Sequence, residues 1–168
     1  MEPKFRKLIL CVLLVPLLSF SQVKIAPFVS SGYMYHLGRS GLNSKVGLDI
    51  EFINKANLSA AYRYAKLDKD TNNEVEIKAF SFFLSYVFIH NEHHKLMAGP
   101  GFSSGNYKRY TANIGFEKEY KDTWLDFGKI RYDYIFNSKF KTGLDFSVYG
   151  DDGDDSMYFG VVVGYNFH

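Results

Sequence analysis

Residues 157–167 read Met-Tyr-Phe-Gly-Val-Val-Val-Gly-Tyr-Asn-Phe, and this stretch decides the fold. Met157, Phe159, Val161, Val163, Tyr165 and Phe167 fall on one face; Tyr158, Gly160, Val162, Gly164 and Asn166 fall on the other. A period of two is the signature of a strand. The first face is wholly apolar and finishes in two aromatics, while the second is mostly small or polar. That distribution suits a strand with lipid outside and a crowded lumen inside.

Working back to the other end, Lys4, Arg6 and Lys7 precede an apolar run from Leu8 to Leu18, and Ser19-Phe20-Ser21 stands before Gln22. Basic residues, a short apolar run and a small-x-small site predict a cleaved secretory signal peptide over residues 1–21. The run is shorter than the roughly 20 residues of a membrane helix, and no later stretch approaches that length. Cys11 is the one cysteine. It lies within the apolar run and not at its end, where a lipoprotein acylation site would sit, so residues 22–168 carry no disulfide. Glu2 also leaves with the leader, so the remaining chain holds 17 basic and 17 acidic residues. A neutral, exported chain argues against nucleic acid as a partner.

The alternation recurs upstream and predicts eight strands, each long enough for the 9–11 residues of a tilted crossing. They fall at 23–36, 45–53, 57–67, 75–89, from about 95, up to 136, at 139–149 and at 157–167. The second is the cleanest, with Val46, Leu48, Ile50 and Phe52 opposite Lys45, Gly47, Asp49 and Glu51. In the fourth, Phe83 and Val87 spoil an otherwise small inner face, which calls for a bulge or a bulky filler. Gly99-Pro100-Gly101 calls for a kink in the fifth. Pro27 is tolerable near the start of a first strand. The fold class is therefore all-β: an eight-stranded antiparallel up-and-down transmembrane β-barrel.

Connection lengths agree, because such barrels have short periplasmic turns and longer external loops. Turns fall at 54–55, 90–94 and 137–138; loops fall at 37–43, 68–74, within 103–123 and at 150–156. Residues 107–118 read as a possible ninth strand, but an odd number would put the C-terminus outside. A hairpin projecting beyond the membrane is the better reading. It mixes Tyr107, Tyr110, Phe116 and Tyr120 with Lys108, Arg109, Glu117, Lys118 and Glu119, a composition suited to amphipathic contact, although a plain extension of the sheet explains it equally.

With this parity Lys45, Asp49, Glu51, Arg63, Lys129, Arg131, Asp133, Lys139, Lys141 and Asp145 point inward. Charges of both signs in a narrow interior must be paired. They read as a packed network that fills the lumen, since eight strands enclose only enough room for side chains. Three sites of possible chemistry are each outweighed by a plainer reading. His36, near the outer rim with Ser40 in the adjoining loop, offers a base and a hydroxyl; an ordinary rim residue explains it. His90, His93 and His94 have the spacing of metal ligands; a solvated turn explains them, and Glu92 precedes His93, so the zinc-protease order is absent. Asp151, Asp152, Asp154 and Asp155 gather oxygen ligands; without the distant glutamate of an EF-hand they read as an acidic hairpin tip. No catalytic, cofactor-binding or metal residue is assigned, and no cofactor is expected.

The closing run Gly160 to Phe167 resembles the signal read by the outer-membrane assembly machinery, with His168 departing from the usual terminal aromatic. Leader, length, eight alternating strands and aromatic load together resemble the small outer-membrane barrel family typified by OmpA and OmpX, of the kind found in Bacteroidetes. The resemblance implies residence in the cell outer membrane among lipid and lipopolysaccharide. It also implies a non-enzymatic role in envelope integrity, with surface ligands met through external loops. Two other classes stay open. One is a lipid A acyl-modifying barrel using His36, although the His-x-Ser-Asn run of the deacylase family is missing. The other is a soluble periplasmic lipocalin-like carrier, whose facing would be inverted.

Overall fold

The computed structural model describes residues 23–36, 38–52, 55–68, 73–111, 116–136, 139–150 and 156–167; the side chains of residues 73 and 109–127 lie outside that description. So do the leader, residues 151–155 and His168. Eight strands follow in chain order: β1 Lys24–His36, β2 Arg39–Phe52, β3 Ala56–Asp68, β4 Asn73–His90, β5 His94–Thr111, β6 Phe116–Phe136, β7 Phe140–Gly150 and β8 Ser156–Tyr165. Each pairs antiparallel with the next, and β1 pairs with β8 from Phe28↔Gly164 to His36↔Ser156, which closes the barrel. A bridge from Ile25 to Phe167 extends that seam. Pro27 stands just before the β1–β8 ladder begins, where its missing donor costs nothing on that side.

The facing follows the alternation. On the outer surface Val29, Tyr33, Val46, Leu48, Phe80, Leu84, Phe88, Phe146, Phe159 and Val161 are exposed, and Leu42 shows 68% of its surface. In water that belt far exceeds the few hundred Å² of contiguous apolar surface a soluble monomer shows. Inside, Lys45, Asp49, Arg63, Lys129, Arg131, Asp133, Lys141 and Asp145 are buried, and Glu51 is nearly so. A lipocalin has the reverse arrangement. Lys139 departs from the expected set: it is exposed, because it follows the turn and precedes the first β7 pair. Lys95, whose facing the sequence left open, is buried in the lumen.

Two connections differ from the sequence reading. The loop expected at 37–43 is a hairpin, because β1 and β2 stay paired out to His36↔Arg39. Gly38 has φ 71°, the left-handed geometry that a tight hairpin needs. Gly41 is a strand residue and not a loop residue; a Cβ there would collide with the Lys66 carbonyl of β3. The loop expected at 68–74 shortens similarly, since β3 runs to Asp68 and β4 starts at Asn73. Residues 103–123 form the expected hairpin, β5 ending at Thr111 and β6 starting at Phe116. In β4 both anticipated devices occur: Phe83 is a buried filler, and the register with β5 shifts between Val87 and Ile89. The β5–β6 register shifts between Gly99 and Gly101, the expected kink.

The strands are strongly staggered. Register pairs lead from Tyr132 through Leu144, Val161, Ser31, Ser44, Tyr64, Lys78 and Asn106 back to β6 at Lys121, eleven residues nearer its start, one of them a bulge residue between Leu125 and Gly128. Such a shear tilts the strands by about 35–45° from the barrel axis. It also carries the β5–β6 hairpin well beyond the ends of β7, β8 and β1.

Val161 lies near the middle of β8 with its side chain outward. Val161→Arg is expected to lower barrel stability by about 2–4 kcal/mol, the cost of a cation at the bilayer midplane, measured by urea unfolding in phospholipid vesicles. An unchanged stability would show that this face does not meet lipid.

Candidate functional site

The lumen has two layers. In the layer nearer the termini, Arg131 on β6 donates from Nε to Asp133 at 2.7 Å and reaches Asp49 of β2 with Nη1 at 3.1 Å. Lys141 of β7 donates to the same Asp49 at 2.7 Å and lies 3.7 Å from Asp133. Ser59 of β3 donates to Asp49 at 2.7 Å. Lys45 pairs with Asp145 at 3.0 Å, and Ser147 donates to the same aspartate. Alternation puts these side chains inside, and the register aligns them: Arg131 stands opposite Asp145, and Lys45 opposite Arg63. Each buried charge needs such compensation, because isolated ions in a low-dielectric interior are far too costly.

Lys129 is attached differently. Its Nζ donates to Ser59 at 3.3 Å and lies over the rings of Phe28 and Phe83 at 5.5 and 5.1 Å. Lys45 sits 3.6 Å from the centre of the Tyr158 ring, and the Arg63 guanidinium 4.1 Å from that of Tyr149. The cations are thus roofed by aromatic faces, a favourable arrangement away from water. Phe28 packs with Ala61 and Val162, whereas Phe83, Tyr149 and Tyr158 belong to the second layer, at the end away from the termini. There Met34, Ala65, Leu67, Val75, Ile77, Ala79, Phe83, Tyr149 and Tyr158 pack into one apolar cluster with Tyr107 against it. This cap was missed by the sequence reading, although Leu67, Val75 and Ile77 lie on the inward parity of β3 and β4. The signal was there: beyond Tyr64 the outward positions become Lys66, Asp68, Glu74, Glu76 and Lys78. Lys66 pairs with Glu74 at 2.8 Å, and Lys78 pairs with Glu76.

His36 and Ser40 do not meet. Tyr33 donates to Ser40 at 2.6 Å on the outer surface, whereas His36 is buried and its Nδ1 lies 2.5 Å from Ser156 Oγ, its register partner across the seam. The Tyr107 ring meets the His36 imidazole edge-on at 5.6 Å. His90, His93 and His94 do not converge either. His90 turns inward, with Nδ1 3.2 Å from Glu51, which also accepts from Lys95 at 2.6 Å. His94 is hydrogen-bonded to Tyr132 at 2.6 Å and His93 stacks on Tyr134, so both join the aromatic rim near the termini. Among the described residues no three potential ligands come together. At that end a cup of about 180 Å³ is lined by Asp49, Glu51, His90, Lys95 and Lys141 together with Ala26 and Ile135. The acidic run at 151–155 lies outside the described residues.

Asp49 holds the centre of the network. Asp49→Ala leaves Arg131 and Lys141 without their shared partner and is expected to destabilise the barrel by about 3–5 kcal/mol. Adding Lys141→Met should return part of that loss, because one stranded charge is removed with its partner. Equal stability of wild type and Asp49→Ala in denaturant titrations would refute the network.

No family model and no curated protein matches the chain. Solved structures do resemble it. Neisserial surface protein A superimposes with a TM-score of 0.69 at 12% identity, over 86% of this chain and 97% of that one. The N-terminal β-barrel domain of Pseudomonas aeruginosa OprF gives 0.60 at 16%, over 87% and 100%. The attachment invasion locus protein Ail of Yersinia pestis gives 0.58 at 17%, over 86% and 97%. At such identities the likeness concerns the fold: this chain has the closed antiparallel eight-stranded architecture of small outer-membrane β-barrels.

Proposed function

We propose that the protein is an integral outer-membrane barrel with a non-enzymatic role, supporting the envelope and meeting surface ligands through its projecting hairpin. The leader directs export, the closing strand engages the assembly machinery, and both termini lie in the periplasm. The observation that carries this reading is the reversal of polarity along β3 and β4. Up to Tyr64 and back to Phe80 the outside is apolar and the inside polar. Beyond them Lys66, Glu74, Glu76 and Lys78 face outward while Leu67, Val75 and Ile77 are buried. That is the pattern of a sheet leaving lipid for water, so the far end of the barrel and its hairpin stand on the aqueous side. The ionic layer and the apolar cap support a filled lumen and not a conduit.

A hairpin that stands in water is dispensable for the barrel. Replacing residues 109–118 by a short turn, which keeps Tyr107 against the cap, should leave an outer-membrane band that still changes gel mobility on boiling while abolishing surface binding. Loss of assembly would overturn the assignment.

One contact favours an acyl-modifying alternative: Ser156 Oγ within hydrogen-bond reach of the His36 ring. Both residues are buried beside the cap, which supports a clasp at the end of the seam. Mass spectrometry of lipid A from a deletion strain and its parent separates the two, and the non-enzymatic reading expects identical acylation.

A further inference from the structure

The strands do not end together. β6 pairs with β5 along its length, from Thr111↔Phe116 to His94↔Tyr134, but with β7 only from Leu125↔Gly150 onward. Over residues 116–124, among the described residues, β6 is therefore paired with β5 alone. Residues 151–155 connect β7 to β8 and lie outside the described residues. At about 3.3–3.6 Å per residue, a connection that must leave and return can pass only the first few of these positions. An unpaired edge is a template for another strand, and outside hydrocarbon nothing forces it to close.

The edge reads Phe116-Glu117-Lys118-Glu119-Tyr120-Lys121-Asp122-Thr123-Trp124. Edges are protected against pairing by proline, by bulges and by charged side chains, which repel a second copy where they meet their own sign. This one has no proline, and its charges alternate in sign. Turned end for end against itself about Tyr120, it sets Lys118 opposite Asp122, Glu119 opposite Lys121 and Phe116 opposite Trp124. Every charge except that of Glu117, which meets Thr123, faces its opposite. A slip by one residue in one direction opposes Lys118 to Lys121 and Glu117 to Asp122. A slip in the other direction opposes Glu119 to Asp122. Parallel in-register pairing sets each charge against its own copy. Of these registers one alone brings no like charges together, and its centre lies within the run.

We propose that residues 116–124 of β6 form a homotypic docking edge that pairs antiparallel with the same edge of a second copy across a twofold axis at Tyr120. The proposal rests on the reading of the hairpin as an external projection. Its symmetry is isologous, so the contact closes as a dimer. It also fixes how the barrels face. With strands tilted by about 35–45°, an axis along the membrane normal would cross the two edges at nearly a right angle. Antiparallel contact requires an axis in the membrane plane. The two barrels meet head to head, and the contact joins opposed bilayers rather than neighbours in one.

The test uses the full barrel, as sedimentation in detergent micelles and as clustering of phosphatidylcholine vesicles that carry it. The wild type should dimerise and cluster vesicles. Lys118→Asp or Asp122→Lys alone places like charges together at both symmetric contacts and should weaken association about tenfold, given a few tenths to 1 kcal/mol per cross-strand pair. The two substitutions together restore opposite charges and should recover affinity to within about threefold. A monomeric wild type, single variants that associate normally, or a double variant no better than either single one would overturn the proposal. Each sample is also boiled and run on a gel. A retained mobility shift shows that the barrel stands even where the edge fails, whereas a wild type without the shift would overturn the barrel reading and the docking edge together.

Discussion

A sheet immersed in hydrocarbon cannot leave an edge, because no water is present to satisfy the exposed amides and carbonyls. The β1–β8 ladder from Phe28↔Gly164 to His36↔Ser156 is the interaction through which this chain meets that constraint, and the rest of the structure follows from it. Closure after eight strands fixes a bore that side chains fill. A filled bore obliges its internal charges to find partners inside. Hence Arg131, Lys141 and Ser59 converge on one carboxylate, Asp49, and Lys45 finds Asp145 across the lumen. Where the sheet passes out of the hydrocarbon the constraint lapses, and there, among the described residues, β6 is paired with β5 alone over residues 116–124.

The same passage explains the reversal of polarity. A strand in lipid must be apolar outside, and its inner face can be polar only if the polar groups satisfy one another. A strand in water reverses both conditions. β3 and β4 cross from one regime to the other within a few residues, between Tyr64 and Lys66 on one strand and between Phe80 and Lys78 on its neighbour. The apolar cap of Met34, Leu67, Val75, Ile77 and Tyr158 is thus the small hydrophobic core of the emergent end, stacked directly on the ionic core of the immersed end. Aromatic rings make the join: Tyr149, Tyr158 and Phe83 pack in the cap and present π faces to Arg63, Lys45 and Lys129.

Strand number, facing and the inward charges were legible because period-two alternation reports them directly in residues such as Val46 to Phe52 and Met157 to Phe167. Hairpin ends were less legible. Gly38, Ser40 and Gly41 have loop composition, but Gly38 serves a two-residue turn and Gly41 a close approach to Lys66, and local composition cannot tell these uses apart. Lys139 has the right parity for the lumen and the wrong position, since parity says which face a residue takes only once the strand has begun. The partner of His36 was out of reach for another reason. Ser156 is 120 residues away, and its identity depends on the register with which the last strand meets the first. Ser40 is close in sequence and lies on the opposite face. The apolar cap was obscured by reading each strand as having one inside and one outside along its whole length.

Why the immersed core is ionic is then a question of specificity. A core of aliphatic side chains would fill the same bore without desolvating any charge, and replacing buried ion pairs by apolar groups is often neutral or stabilising. But a strand apolar on both faces has no preferred facing in lipid, and a slip of one residue turns every side chain over. With Arg131, Asp133, Lys141 and Asp145 on one face, such a slip in β6 or β7 would place several charges against lipid, at about 2–4 kcal/mol for each cation near the midplane. Two strands misfaced together would then cost an amount comparable to the whole net stability of an ordinary domain. The network's contribution is therefore measured less by the folded barrel's stability than by the gap to its inverted alternatives. That gap is opened by charges whose partners lie on strands far apart in sequence, as Asp49 does for Arg131 and Lys141, so the facing is fixed fully only when the last strands arrive.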